Sequence, residues 1–356
     1  MHQMEFLGVP DRHELSIGPS SEERLFLFLR SFAVRKKGKV LLLFFASIFC
    51  LLFLANVMRW HTDSIVMNKK VAVLLPGAVS FFDVERASML KAAQDLSLDL
   101  IFFNAGWDPY GQIHQLEKVL SMNSFDAVAL CAVDSQALMR ASTLMQGQEI
   151  PLVSFTNGIG FLPDGRLEGV KAYVGRDEIK AGKMLGRAIE RLSLDEPPRI
   201  LLIQGAPGTA PQRFREMGFN LIVDQHPEWT IVESALIPEW SLAEVEHTVQ
   251  QVLDTRKEMN VIATQWAGAA VAAGNILKAN KARNIKLVSL EYTHALQQLL
   301  HEGVVQITSN FSVQEEGRRT VETIAQLLEH GEANAFIEIL QTEISSFEAQ
   351  RILPEW

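Results

Sequence analysis

The chain has 356 residues, with 33 Lys and Arg against 42 Asp and Glu, so its net charge is −9. That length suits two domains or lobes of ~150 residues each, and 48% hydrophobic against 21% charged residues excludes wholesale disorder. The acidic balance argues against a general nucleic-acid binder, which needs a basic face. Two cysteines, with no Cys-x-x-Cys pair, exclude a disulfide scaffold and a thiolate zinc site.

Residues 1–39 read as a cytoplasmic leader or a mis-assigned start. The stretch Glu22 to Phe32 (EERLFLFLRSF) is either a membrane-surface helix or part of an untranslated or disordered leader. Val40 to Met58 (VLLLFFASIFCLLFLANVM) carries no charge, and its ~19 residues are about the length a helix needs to span the bilayer core. The preceding VRKKGK holds that flank in the cytoplasm, so the chain after Arg59 is expected outside, next to the inner membrane. Two readings stand. One is an uncleaved anchor through residues 40–58. The other is a signal peptide whose translation starts near Val34, although Leu54-Ala55-Asn56-Val57-Met58 is a poor cleavage site. Cys50 follows Phe49, which disfavours lipoprotein processing, and Cys131 reads as a core residue.

From residue 71 short apolar runs alternate with helical stretches. Val71–Leu75, Leu98–Phe103, Asp126–Leu130 and Pro151–Phe155 read as strands. Between them lie helices from Val84 to Leu96, Tyr110 to Met122 and Ser135 to Gln146. A helix from Asp177 to Arg191 leads to Pro197-Pro198, a plausible linker, and the pattern restarts. Strands are expected at Arg199–Gln204, Thr230–Ile237, Val261–Thr264, Lys286–Leu290 and Val304–Thr308. Helices are expected at Gln212–Gln225, Leu242–Arg256, Ala267–Asn280 and Gln314–Glu329. The fold class is therefore α/β, with two similar doubly wound parallel-sheet lobes. Ligands of such sheets sit beyond the carboxyl ends of the strands, here in a cleft between lobes.

Val71–Phe82 (VAVLLPGAVSFF), Gly175–Gly186 (GRDEIKAGKMLG), Gln204–Phe219 (QGAPGTAPQRFREMGF), Met259–Gly274 and Leu287–Tyr292 follow one another in order. Together they resemble the type I periplasmic binding proteins, the ribose-binding branch in particular, over residues 70–345. LacI-type repressors share the fold, but a membrane segment stands where they carry a DNA-binding element. The resemblance implies a three-strand hinge and lobes that close on a ligand. Crossings are expected near Ala172–Gly175, Leu290–Thr293 and Thr308–Ser312. The first lobe would hold residues 70–175 and 310–333, and the second 176–309 and 334–350.

The same resemblance implies a site. Phe81 and Phe82 would flank a sugar ring, or else form a core pair. Thr156 and Asn157 replace the Asp-Arg pair of sugar binders, and Gln265 and Trp266 replace an Asn-Asp pair. Arg213 matches the ligand-facing Arg, the alternative being a surface or interlobe ion pair, while Arg215 is expected to turn toward solvent. Trp240 matches an aromatic after a strand end, Glu291 stands for an Asp, and Asn310 for a polar residue on the third crossing. Trp107 could reach the cleft or lie on the lobe surface.

Enzyme readings find little support. Gly205-x-x-Gly208 lacks the Gly-Lys-Ser/Thr of a phosphate loop, the nine His make no metal-ligand pair on a helix, and no Gly-x-Ser-x-Gly elbow occurs. A non-enzymatic receptor for a sugar-like small molecule is expected, with no cofactor and no metal. Its partner would be an ABC importer's membrane permease, or alternatively a sensor histidine kinase or chemoreceptor, including one for a furanosyl quorum signal.

Overall fold

A computed structural model describes residues 68–255 and 258–356. The expected leader and the apolar run at 40–58 lie outside the described residues. Among the described residues no helix is long and apolar enough to cross a membrane.

The first sheet is built from β1 (Lys69–Leu75), β2 (Leu98–Asn104), β3 (Ala127–Leu130), β4 (Leu152–Phe155), β5 (Val170–Gly175) and a late strand, β11 (Phe336–Glu338). The second contains β6 (Arg199–Gln204), β7 (Thr230–Leu236), β8 (Val261–Thr264), β9 (Lys286–Ser289), β10 (Val305–Asn310) and β12 (Thr342–Ser345). Their orders are β11-β5-β4-β3-β1-β2 and β12-β10-β9-β8-β6-β7. All pairings are parallel except β10 with β12. β3, β4 and β8 are buried along their whole length, as continuous apolar strands covered by helices on both faces must be. Each sheet accordingly carries one apolar cluster per face.

The helices are α1 (Ser80–Asp95), α2 (Pro109–Ser121), α3 (Arg140–Met145), α4 (Glu178–Glu190), α5 (Ala210–Val223), α6 (Leu242–Thr255), α7 (Ala267–Ala279), α8 (His294–His301) and α9 (Val313–His330). Six start on a side-chain cap: Asp108, Asp177, Thr209, Ser241, Thr293 and Ser312 each accept a bond from a backbone N–H two or three residues on. Every one of these caps follows the carboxyl end of a strand, so the polar turns collect along one edge of each sheet. α4 and α5 approach closely because Gly182 and Gly218 face backbone: a Cβ on either would lie 2.0 Å from a carbonyl oxygen of the other helix. That approach brings Arg215 beside Glu178.

Several expectations need correction. α1 starts at Ser80, earlier than the expected Val84, so Phe81 and Phe82 stand in its first turn and not in a loop. The stretch Ser135–Gln146 is broken into a 3-10 turn at Ala137–Met139 and the short α3. Leu290–Thr293 does not cross between lobes, because it joins β9 to α8 inside the second. The chain crosses instead after β5, after β10 and between β11 and β12. Residues 336–338 therefore belong to the first sheet, not to the second lobe.

Candidate functional site

The carboxyl edges of the two sheets face each other across a cavity of about 210 Å³. Phe81 and Phe82 reach it from α1, Trp107 from the turn after β2, and Thr156 and Asn157 from the end of β4. Across the gap stand Arg215 of α5, Trp240 after β7, Trp266 after β8 and Glu291 after β9. Arg176, on the first crossing, and Trp356 complete the wall. At the mouth the lobes touch. The Ser135 N–H donates to the Gly208 carbonyl (3.0 Å), the Ala210 N–H to the Ser135 hydroxyl (2.8 Å) and Arg213 Nη2 to the Gly160 carbonyl (2.8 Å). The lobes are thus in contact on both sides of the cavity, a closed arrangement.

Four of these residues hold a left-handed backbone: Trp107 (φ 65°), Thr156 (φ 53°), Trp240 (φ 57°) and Glu291 (φ 70°). Such positions cost roughly 1–3 kcal/mol each for side chains other than glycine and concentrate at functional sites. All four lie just past a strand end, where the chain must turn sharply to aim a side chain into the gap. Trp240 meets Trp266 edge to face at 5.1 Å. Gly205 makes room for this pair, since a Cβ there would lie 2.2 Å from the Trp240 ring.

Beneath the rings lies a dry array of charges. Arg176 donates to Glu178 (3.0 Å) and Glu316 (3.1 Å), and packs its guanidinium 4.0 Å over the Phe311 ring. Arg215 grips Glu178 through two bonds (2.7 and 3.2 Å), and also donates to Glu291 (3.2 Å) and to the Gln265 carbonyl. Glu85 closes the array through the Thr156 hydroxyl, which donates to it at 2.9 Å. Arg176, Arg215, Glu85, Glu178, Glu291 and Glu316 are all buried. Four carboxyls thus face two guanidiniums, and the cluster cannot be fully ionised without uncompensated charge. Burial raises Glu85 well above the usual carboxylate range, and repulsion from Glu316 adds to the rise. Burial likewise raises Glu316 to about 7 against the attraction of Arg176. Glu178 is also penalised by burial, but the combined pull of Arg215 and Arg176 outweighs it and leaves its pKa lowered. Glu85 Oε2 and Glu316 Oε1 are buried without a hydrogen-bond partner.

A sequence model of the periplasmic binding protein domain matches residues 71–333. The chain belongs to the periplasmic binding protein family. The ribose import binding protein of Haemophilus influenzae is 23% identical over 146 residues, 41% of this chain and 47% of that protein, so the chain spans about half of that relative. Among solved structures, a solute-binding protein of Bacillus halodurans with bound myo-inositol superposes with a TM-score of 0.72 at 19% identity, covering 80% of this chain and 96% of that one. The fructose-binding periplasmic domain of a hybrid two-component system gives 0.71 at 16%, covering 79% and 92%. At such identities the likeness is one of fold.

In this binding protein, Phe81, Phe82, Thr156, Asn157, Trp240, Trp266 and Glu291 line one cavity, and Trp107 joins them. Arg213 does not. It lies at the mouth, between Phe161 (5.3 Å) and Phe214 (4.6 Å). Arg215, expected to face solvent, is the buried partner instead, because Glu178 and Glu291 converge where it points. Gln265 is fully buried behind the wall, where it accepts from the Gly205 N–H (3.0 Å) and donates to the Gln212 carbonyl (3.2 Å). Asn310 ends β10, paired with Thr342, away from the cavity wall. Arg176 and Trp356 were missed. Arg176 did carry a signal, a charged Arg176-Asp177-Glu178 run directly after an apolar strand; Trp356 carried none. Among the described residues no cluster of His, Cys, Asp and Glu is placed to hold a metal ion.

Proposed function

We propose that the chain is a non-enzymatic extracytoplasmic receptor. It binds a small, neutral, cyclic polyhydroxylated molecule, a sugar or cyclitol, between its lobes. The observation that carries this reading is a cavity with aromatic walls over a floor whose cations are already matched. Both guanidiniums are committed to carboxylates, which disfavours an anionic ligand. Arg176 nonetheless spends only two of its five N–H donors on protein partners, and Arg215 four. The remaining donors suit hydroxyl oxygens, while the apolar faces of a sugar ring suit Phe81, Phe82, Trp240 and Trp266. Thr156, Asn157 and Glu291 would complete the polar contacts. A cavity of about 210 Å³ exceeds the ~150 Å³ that admits benzene and falls below the ~300 Å³ of drug-sized pockets. It therefore fits a single ring.

In this reading, contacts from both lobes shift the protein toward the closed form, and a membrane permease of an ABC importer receives the ligand. A second reading, a tethered sensor, is favoured by the apolar run at 40–58 and by the fold shared with the periplasmic domain of a two-component system. Mass spectrometry of the mature N-terminus separates the two, since an intact run argues for a sensor. The ligand class is tested by thermal unfolding of the full chain in detergent with D-arabinose, D-fructose, D-ribose and myo-inositol. A true ligand at ~100 times its Kd adds ~2.7 kcal/mol, a rise of roughly 5–10 °C. No shift with any of the four refutes the class.

A further inference from the structure

The segment after β12 takes a route that neither sheet requires. It makes a 3-10 turn at Glu348–Gln350 and then runs from the second lobe to the first. The second lobe holds it through Gln297, whose Nε2 donates to the carbonyls of Ala349 (2.8 Å) and Ile352 (3.4 Å). The Tyr292 hydroxyl also donates to the Ile352 carbonyl (3.0 Å), and the His294 N–H to that of Trp356 (2.8 Å). The first lobe holds it through Glu355, whose carboxylate accepts from the Ser312 hydroxyl (2.5 Å) and from the Gln314 N–H (2.9 Å). This puts a negative charge on the first turn of α9, where the helix dipole favours one. Between these anchors the Trp356 indole meets Phe81 edge to face at 5.4 Å and forms part of the cavity wall.

We propose that Ile352–Trp356 is a strap tied to both lobes that delivers Trp356 as a ligand-contacting, specificity-determining ring. The inference rests on the polyol reading above. Phe81 and Trp356 stand at right angles (83°), so together they form a corner and not a flat platform. A corner discriminates between ring shapes, whereas a single plane accepts any apolar face. Glu355 is a positioning residue that acts on the ligand only through the indole it anchors.

The test is calorimetric titration of the full chain with D-arabinose, D-fructose, D-ribose and myo-inositol. Trp356→Ala weakens the best ligand about tenfold and changes the ranking of the four, and Trp356→Phe recovers most of the affinity. Glu355→Gln keeps the ring but loosens its anchor, so it weakens all four by a similar, smaller factor and preserves the ranking. Tyr110→Ala, at a residue 76% exposed on α2 and away from the cavity, changes nothing. A folded Trp356→Ala with wild-type affinities and ranking overturns the proposal. If that variant does not fold, Trp356→Leu with wild-type affinities and ranking overturns it equally. If the wild type binds none of the four, the polyol reading falls first and this inference with it; binding that ignores Trp356 refutes this inference alone.

Discussion

Replacing Glu316 by Gln tests the excess of carboxyls beneath the cleft. Glu316 is buried, donates nothing when ionised and leaves Oε1 unpaired, while Oε2 accepts from Arg176. Its pKa rises from an ordinary 4.5 to about 7 in the fold. The folded protein therefore holds a proton between those pH values that the unfolded chain has released. Stability from this group is complete below pH 4.5 and is lost as pH climbs to about 7, a total of about 3 kcal/mol. The side-chain amide introduced by Glu316→Gln would keep an acceptor for Arg176 but has no proton to lose. Denaturant unfolding from pH 5 to 8.5 should show the wild-type curve falling, with the Glu316→Gln curve flatter by about that amount. In thermal terms the difference is roughly 5–10 °C at the alkaline end. Titrations that do not feel Glu316 cancel in the comparison, whereas Glu85 loses the repulsion of Glu316 in the variant and shares in the difference. Parallel curves would mean that the pair of Glu85 and Glu316 is not short of a counter-charge, and the reasoning would fail.

Two further outcomes follow from the same geometry. Arg213→Ala removes a bond across the mouth without touching the cavity wall, so it should weaken ligand binding only a few-fold and raise the radius of gyration of the ligand-free protein in X-ray scattering. Gly205→Ala would drive a methyl into the Trp240 ring, 2.2 Å away, and should lower stability by about 1–3 kcal/mol and blunt any ligand-induced change in tryptophan fluorescence.

The alternation of strand and helix was legible because β1, β3, β4, β6 and β8 are each dominated by a short apolar run, a pattern that local composition carries by itself. β11 and β12 were not legible, since three- and four-residue edge strands with mixed polarity have no such run. α8 was missed because eight residues give too few turns for a periodic signal, although Thr293 caps it. The site divides in the same way. Residues at strand ends, such as Thr156, Trp266 and Glu291, could be found because strand ends are where clefts form. The choice between Arg213 and Arg215 depends on how α5 is rotated. That rotation is set by Gly218 against α4 and by Glu178 and Glu291, which are distant in sequence. Trp356 lies next to Phe81 only through the route of the strap, which no local pattern encodes.

The charge array has a mechanical consequence. Arg176, at the end of the first sheet, and Glu178, on the first turn of α4, join the rear of the two halves by a dry ion pair, and removing one partner of such a pair costs roughly 3–5 kcal/mol. The front is held by three neutral or singly charged contacts at Ser135, Gly208, Ala210, Arg213 and Gly160, each worth roughly 0.5–3 kcal/mol. Sliding one half past the other would shear the rear pair, whereas swinging the front apart leaves it whole. The molecule is therefore built like a door and not like a drawer, with Arg176 at the pivot.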